Sequence, residues 1–98
     1  MKVHRAGQKT VVAVCDEDIL GKEFREGNLV LKVDSHFYGG KLVGIEEVVN
    51  AILSADIAVI TGTKIVEELS RRGLVLREFA LRVGDQLHVQ IVKEVQGT

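Results

Sequence analysis

The 98-residue chain has no proline and no tryptophan, a single cysteine, and only three phenylalanines and one tyrosine. Without proline, glycine alone punctuates the chain. One cysteine excludes an internal disulfide and any CxxC metal site, which fits a reducing, cytoplasmic setting. The longest uninterrupted apolar run, Val11–Cys15, is far short of the ~20 residues a membrane-spanning helix needs, so no membrane partner is expected. Met1-Lys2-Val3-His4-Arg5 leads into a short apolar stretch with neither the h-region nor the cleavage site of a signal peptide. The chain also lacks excess positive charge, with net charge −1 and a pI near 6.3. That argues against a general nucleic-acid coating protein, which needs a basic stripe to displace counterions from phosphates. A local basic patch remains compatible.

What is present describes one globular domain spanning residues 1–98. The chain is 46% hydrophobic and 28% charged, well clear of disordered compositions. Valine is the commonest residue with sixteen copies, and β-branched side chains suit a sheet-rich core. Lys2–Arg5 and Lys9–Cys15 read as strands around an Ala6-Gly7 turn. The apolar Val11–Cys15 resembles a central strand buried on both faces. Asp16–Gly27 reads as a loop with one helical turn, and Leu29–Asp34 as a third strand. Ile45, Val48, Val49 and Ile52 recur at helical spacing and predict an amphipathic helix over Gly44–Ala55. Ile57–Thr61 is an apolar strand. A second helix follows, with Thr63 as N-cap, Gly73 just past its end, and Glu67–Arg71 and Glu68–Arg72 as i,i+4 pairs.

Two registers are open to the terminal hairpin. A two-residue Gly84-Asp85 turn sets Leu81 against His88. A three-residue Gly84-Asp85-Gln86 loop pairs Val83 with Leu87, Leu81 with Val89 and Phe79 with Ile91, keeping one face apolar. The second is expected on that ground, with Arg82 opposite His88 and Gln90 nearby. The resulting order is β-β-β-α-β-α-β-β, an α+β fold with a single mixed sheet and two amphipathic helices.

Three constellations bear on chemistry. Cys15 and Asp16 stand where a buried strand meets solvent, and with His36 and His88 they form the candidate catalytic set. The adjacent acids Asp16, Glu17 and Asp18 oppose formation of a thiolate, and the three histidines lack paired metal-ligand spacing. No metal or cofactor is expected. His36-Phe37-Tyr38-Gly39-Gly40-Lys41 is the candidate binding loop: aromatic faces stack on bases or on a partner, and Lys22, Arg25 and Lys41 could meet phosphates; the alternative is that Phe37 and Tyr38 fold back to plug one end of the core. Gly62-Thr63-Lys64 opens a helix, where free N–H groups favour an anion.

Ala13-Val14-Cys15-Asp16, Leu20-Gly21-Lys22 with Phe24-Arg25-Glu26-Gly27, Phe37-Tyr38-Gly39-Gly40, the Ala55–Gly62 strand and the closing His88-x-Gln90 together resemble a family of small archaeal proteins catalogued only as domain of unknown function 424. Near its end this chain has Leu87-His88-Val89-Gln90 where the family pattern has Pro-His-Ala-Gln. The resemblance implies an archaeal, cytoplasmic setting and carries no established reaction. The leading expectation is a non-enzymatic binding module with RNA or a translation-apparatus component as partner. Against it stand a small enzyme or metal site at Cys15, Asp16, His36 and His88, and a protein–protein adaptor or homodimer using the aromatic loop or a terminal strand edge.

Overall fold

The computed structural model describes Met1–Lys93. Its elements are β1 (Lys2–Ala6), β2 (Lys9–Cys15), a 3₁₀ turn (Glu17–Ile19), β3 (Glu23–Glu26), β4 (Leu29–Lys32), α1 (Ser35–Tyr38), α2 (Ile45–Ser54), β5 (Ile57–Thr61), α3 (Thr63–Arg71), a second 3₁₀ turn (Arg77–Phe79), β6 (Leu81–Val83) and β7 (Gln86–Val92). The α+β class and the main element order agree with the sequence reading. Two features differ. The stretch read as loop holds a strand, β3, which pairs only with β4 in a separate two-stranded ribbon, so there are two sheets and not one. A short helix, α1, also interrupts the expected binding loop.

The main sheet runs β1-β2-β5-β7-β6, with β2 and β5 parallel and every other pair antiparallel. Because side chains alternate along each strand, Val12, Val14, Ala58, Ile60, Leu87 and Val89 share one face. They pack against Val48 and Ile52 of α2 and Val66 and Leu69 of α3, forming the larger core. On the opposite face Ala13 meets Ile19, Val33 and Tyr38, with Phe24, Phe37 and Val59 packed against them. The sheet is therefore covered on both sides, which explains the unbroken apolar run of β2.

The terminal hairpin takes the register the sequence reading rejected: Leu81 pairs with His88, Arg82 with Leu87 and Val83 with Gln86. The expected pairings Leu81–Val89 and Arg82–His88 are thus overturned. Gly84, at φ 63°, occupies the first central position of a two-residue turn, the position where a II′ turn demands positive φ. Matching apolar faces misled because β7 lies between β5 and β6 and is covered on both sides. Leu87 and Val89 face the helices, while Gln86 and His88 serve polar partners on the other side. Phe79 is not in a strand at all; it sits in the second 3₁₀ turn at 76% exposure.

Both long helices form where their periodicity placed them. Gly44 and Ala55 are the caps of α2. In α3 the N-cap is Gly62 and not Thr63, whose hydroxyl instead donates to the Asp85 carbonyl at 2.6 Å. Glu68 pairs with both Arg71 and Arg72, leaving Glu67 to bind Arg77.

Candidate functional site

β2 and β5 end side by side, and the register sets Cys15 beside Thr61 and Thr61 beside His88. These three residues form one row across three strands on the α1 face. Tyr38 of α1 comes down onto that row. Its hydroxyl lies 2.9 Å from Thr61 Oγ1, which is 2.7 Å from His88 Nδ1, and Gln90 Nε2 reaches His88 Nε2 at 3.2 Å. With Gln90 donating to Nε2, the neutral imidazole carries its proton on Nδ1 and donates to Thr61, whose hydroxyl donates to Tyr38. Burial holds His88 below the usual histidine range and so favours this neutral form. It likewise raises Tyr38, against the lowering effect of the Thr61 hydrogen bond. Thr61 is fully buried, and the chain of bonds leaves no buried side-chain polar atom without a partner among the described residues.

This network corrects the aromatic platform expected at Phe37-Tyr38. Tyr38 is only 4% exposed and has no free face for stacking. Phe37 is half-buried; its ring stacks on His4 with centroids 4.8 Å apart and meets Tyr38 edge-on. His4 Nε2 donates to the Phe37 carbonyl at 2.7 Å, locking the pair. Gly39 and Gly40 are pressed against backbone: a Cβ on Gly40 would come within 2.6 Å of the Met1 carbonyl oxygen. Close packing accounts for these glycines without a ligand.

The candidate catalytic residues are only partly brought together. Cys15 and His88 share the cross-strand row, but Thr61 stands between them, a separation of about 9–10 Å at ordinary strand spacing. Burial pushes the Cys15 thiol up, and Asp16 and Asp18 push it further against the amino terminus. Among the described residues no hydrogen bond joins it to a base, the activation a nucleophile requires. His36 is exposed on α1 and outside the row; its backbone N–H donates to the Asp34 carboxylate, which caps that helix. Among the described residues no three His, Cys, Asp or Glu side chains are grouped to hold a metal ion.

Asp16 has a different task. Its carboxylate accepts from the backbone N–H groups of Lys64 and Ile65 at 3.0 and 2.9 Å, capping α3 from the residue just past β2. Burial raises its pKa despite those two bonds. Gly62, at φ 133°, clears the space: a Cβ there would lie 2.4 Å from Asp16 Oδ2. Gly62 N–H donates to the Leu87 carbonyl and Thr63 N–H to Gln86 Oε1. The anion site expected at Gly62, Thr63 and Lys64 is thereby filled by the chain's own acceptors.

Two clefts open above Cys15, of about 310 and 270 Å³. Met1, Cys15, Glu17, Lys41 and Leu42 line both, so they form one divided depression. Val14, Ile45, Val48 and Ile65 floor the larger part and Tyr38 lines the smaller. Leu42, on the irregular segment between α1 and α2, is 75% exposed at the shared mouth. The site lies beyond the carboxyl ends of parallel strands, where ligands of α/β sheets commonly bind.

Beside the depression runs a strip of positive charge that the sequence reading missed. Lys2, His4 and Lys9 project from the α1 face of the β1–β2 hairpin, with Arg5 on the same edge strand. Lys2 Nζ also donates to the His36 carbonyl. Neither these cations nor Lys41 joins an ion pair among the described residues. The signal lay in plain view: all fourteen acids follow Cys15 in sequence. Of the cations expected to contact phosphate, Arg25 is bound to Glu23. Lys22 lines a separate polar depression with Glu23, Lys32 and Asp34.

The profile of a family described as "Protein of unknown function (DUF424)" matches residues 4–93, and the chain belongs to that family. The crystal structure of an uncharacterized conserved protein from Methanopyrus kandleri is similar at a TM-score of 0.67 and 26% identity, over 99% of this chain and 95% of that one. No curated protein matches.

Proposed function

We propose that this DUF424 protein is a non-enzymatic module that binds single-stranded RNA along the β1–β2 hairpin and α1. The observation that carries the reading is the acid-free segment before Asp16, which sets Lys2 and Lys9 on the face of the half-buried His4–Phe37 stack and Arg5 on the same edge strand turned to the other face, none of them in an ion pair among the described residues. Backbone-tracking cations beside a flat aromatic surface are the two elements of sequence-tolerant single-strand binding. A net charge of −1 does not oppose a local patch, because exposed charges beyond about 8 Å are screened at physiological salt. The weak activation of Cys15 and its separation from His88 favour binding over catalysis.

Fluorescence anisotropy with a labelled single-stranded RNA tests the reading. Lys2→Glu, Arg5→Glu and Lys9→Glu should each weaken binding and reduce its salt slope by about 0.7. Arg25→Glu should change little. Unchanged affinity in the combined Lys2, Arg5 and Lys9 variant would overturn the assignment. An adaptor role rests on another surface, where Leu76, Phe79 and Leu81 are all exposed within one short segment. Loss of partner capture in a Phe79→Ser variant that still binds RNA would favour it.

A further inference from the structure

The divided depression over Cys15 has no part in the backbone contacts just described, yet it adjoins them. Lys41, a cation in no ion pair among the described residues, lines both of its halves, and the Met1 and Lys41 main chains exchange both hydrogen bonds, tying its wall to the start of β1. Resting on the RNA reading, we propose that this depression is a base pocket, receiving one nucleobase splayed from a strand whose phosphates follow Lys2, Arg5 and Lys9.

The lining matches a flat group with apolar faces and a polar edge. Val14, Val48 and Ile65 supply apolar walls, and Leu42 stands at the mouth as a cover. The polar groups at the rim divide by availability. Asp16 is occupied in capping α3, Glu68 is held by Arg71 and Arg72, and Lys64 faces Asp18. Glu17 and Lys41 join no ion pair among the described residues. One accepts from base N–H groups and the other donates to base carbonyl or ring-nitrogen acceptors, so the pair can read a base edge. At about 310 Å³ the larger cleft is at the low end of small-ligand sites, adequate for a single base. Free phosphate alone would find no such complement here.

The chain's one cysteine lines both halves of the pocket and reports on its occupancy directly. Iodoacetamide alkylation of Cys15 is followed by mass spectrometry in the untagged protein, alone and with saturating oligo(A), oligo(C) or oligo(U) about ten nucleotides long. An abasic strand of equal length and polyglutamate serve as controls, and anisotropy measures the binding of each. At least one intact RNA should bind about tenfold tighter than the abasic strand and slow alkylation by a similar factor, while the bound abasic strand leaves the rate unchanged. Leu42→Ala, at an exposed position, should narrow that tenfold difference without altering abasic binding. Tight RNA binding with no protection of Cys15, or equal protection by the abasic strand, overturns the base pocket and leaves the RNA reading standing. Binding of polyglutamate in place of RNA, or no binding of RNA at low salt, overturns both.

Discussion

Thr61→Val tests whether the buried polar chain holds α1 onto the sheet. Valine keeps the shape and β-branching of threonine, so the strand and its packing should survive. What disappears is the hydroxyl between Tyr38 and His88, 2.9 and 2.7 Å from its two partners. The Tyr38 hydroxyl is then buried without its partner, which costs ~1–3 kcal/mol. His88 is half-buried and its Nδ1 is partly rehydrated, so its loss adds less. A net destabilisation of about 2 kcal/mol follows, equivalent to roughly 8–16 °C in Tm for a domain of this size. Urea denaturation at neutral pH, followed by circular dichroism, gives the value directly. Tyr38→Phe should cost about 1 kcal/mol alone and less than that in the Thr61→Val background, because contacting groups are not additive. A Thr61→Val protein within 0.5 kcal/mol of the parent, the usual range for featureless sites, would show that the network contributes nothing to stability.

Asp16→Ala removes the acceptor for two α3 amides and should cost ~0.5–2 kcal/mol by urea melts. Gly62→Ala should cost more, since strain at φ 133° adds to eviction of the same carboxylate; equal losses would show that Gly62 serves Asp16 alone. His88 has a depressed folded-state pKa, so the unfolded chain binds more protons just below the unperturbed value of 6.5 and stability must fall as pH drops through that value toward the folded pKa. Melts from pH 8 to 5 should show this slope, and His88→Gln should reduce it. Phe79→Ser, at an exposed position, should leave stability within about 0.5 kcal/mol.

The two long helices and the central strands were legible because each buries one regular stripe. Ile45, Val48, Val49 and Ile52 permit only one helical face, and Val11–Cys15 only a strand covered twice. β3 was not legible: Glu23-Phe24-Arg25-Glu26 pairs with β4 alone and carries a single inward side chain. The hairpin register failed because it assumed one buried face where both are covered. Cys15, Phe37 and Lys41 were singled out by type and setting, and the fold places Cys15 and Lys41 on the depression and Phe37 against His4. Whether Tyr38 is exposed or core was not legible, because its buried partner, Thr61, lies 23 residues away and no local pattern announces it. The remote cap by Asp16 is hidden for the same reason, since 48 residues separate it from Lys64.

The most direct measurement is the affinity for single-stranded RNA as a function of salt, between about 50 and 200 mM. Phosphate contacts by Lys2, Arg5 and Lys9 predict a log–log slope of about −2 for a single strand. Binding that weakens with that slope, and a slope that shrinks in the combined Lys2, Arg5 and Lys9 variant, is the result the account predicts. A slope near zero, or no binding at the lowest salt, would contradict the proposed function.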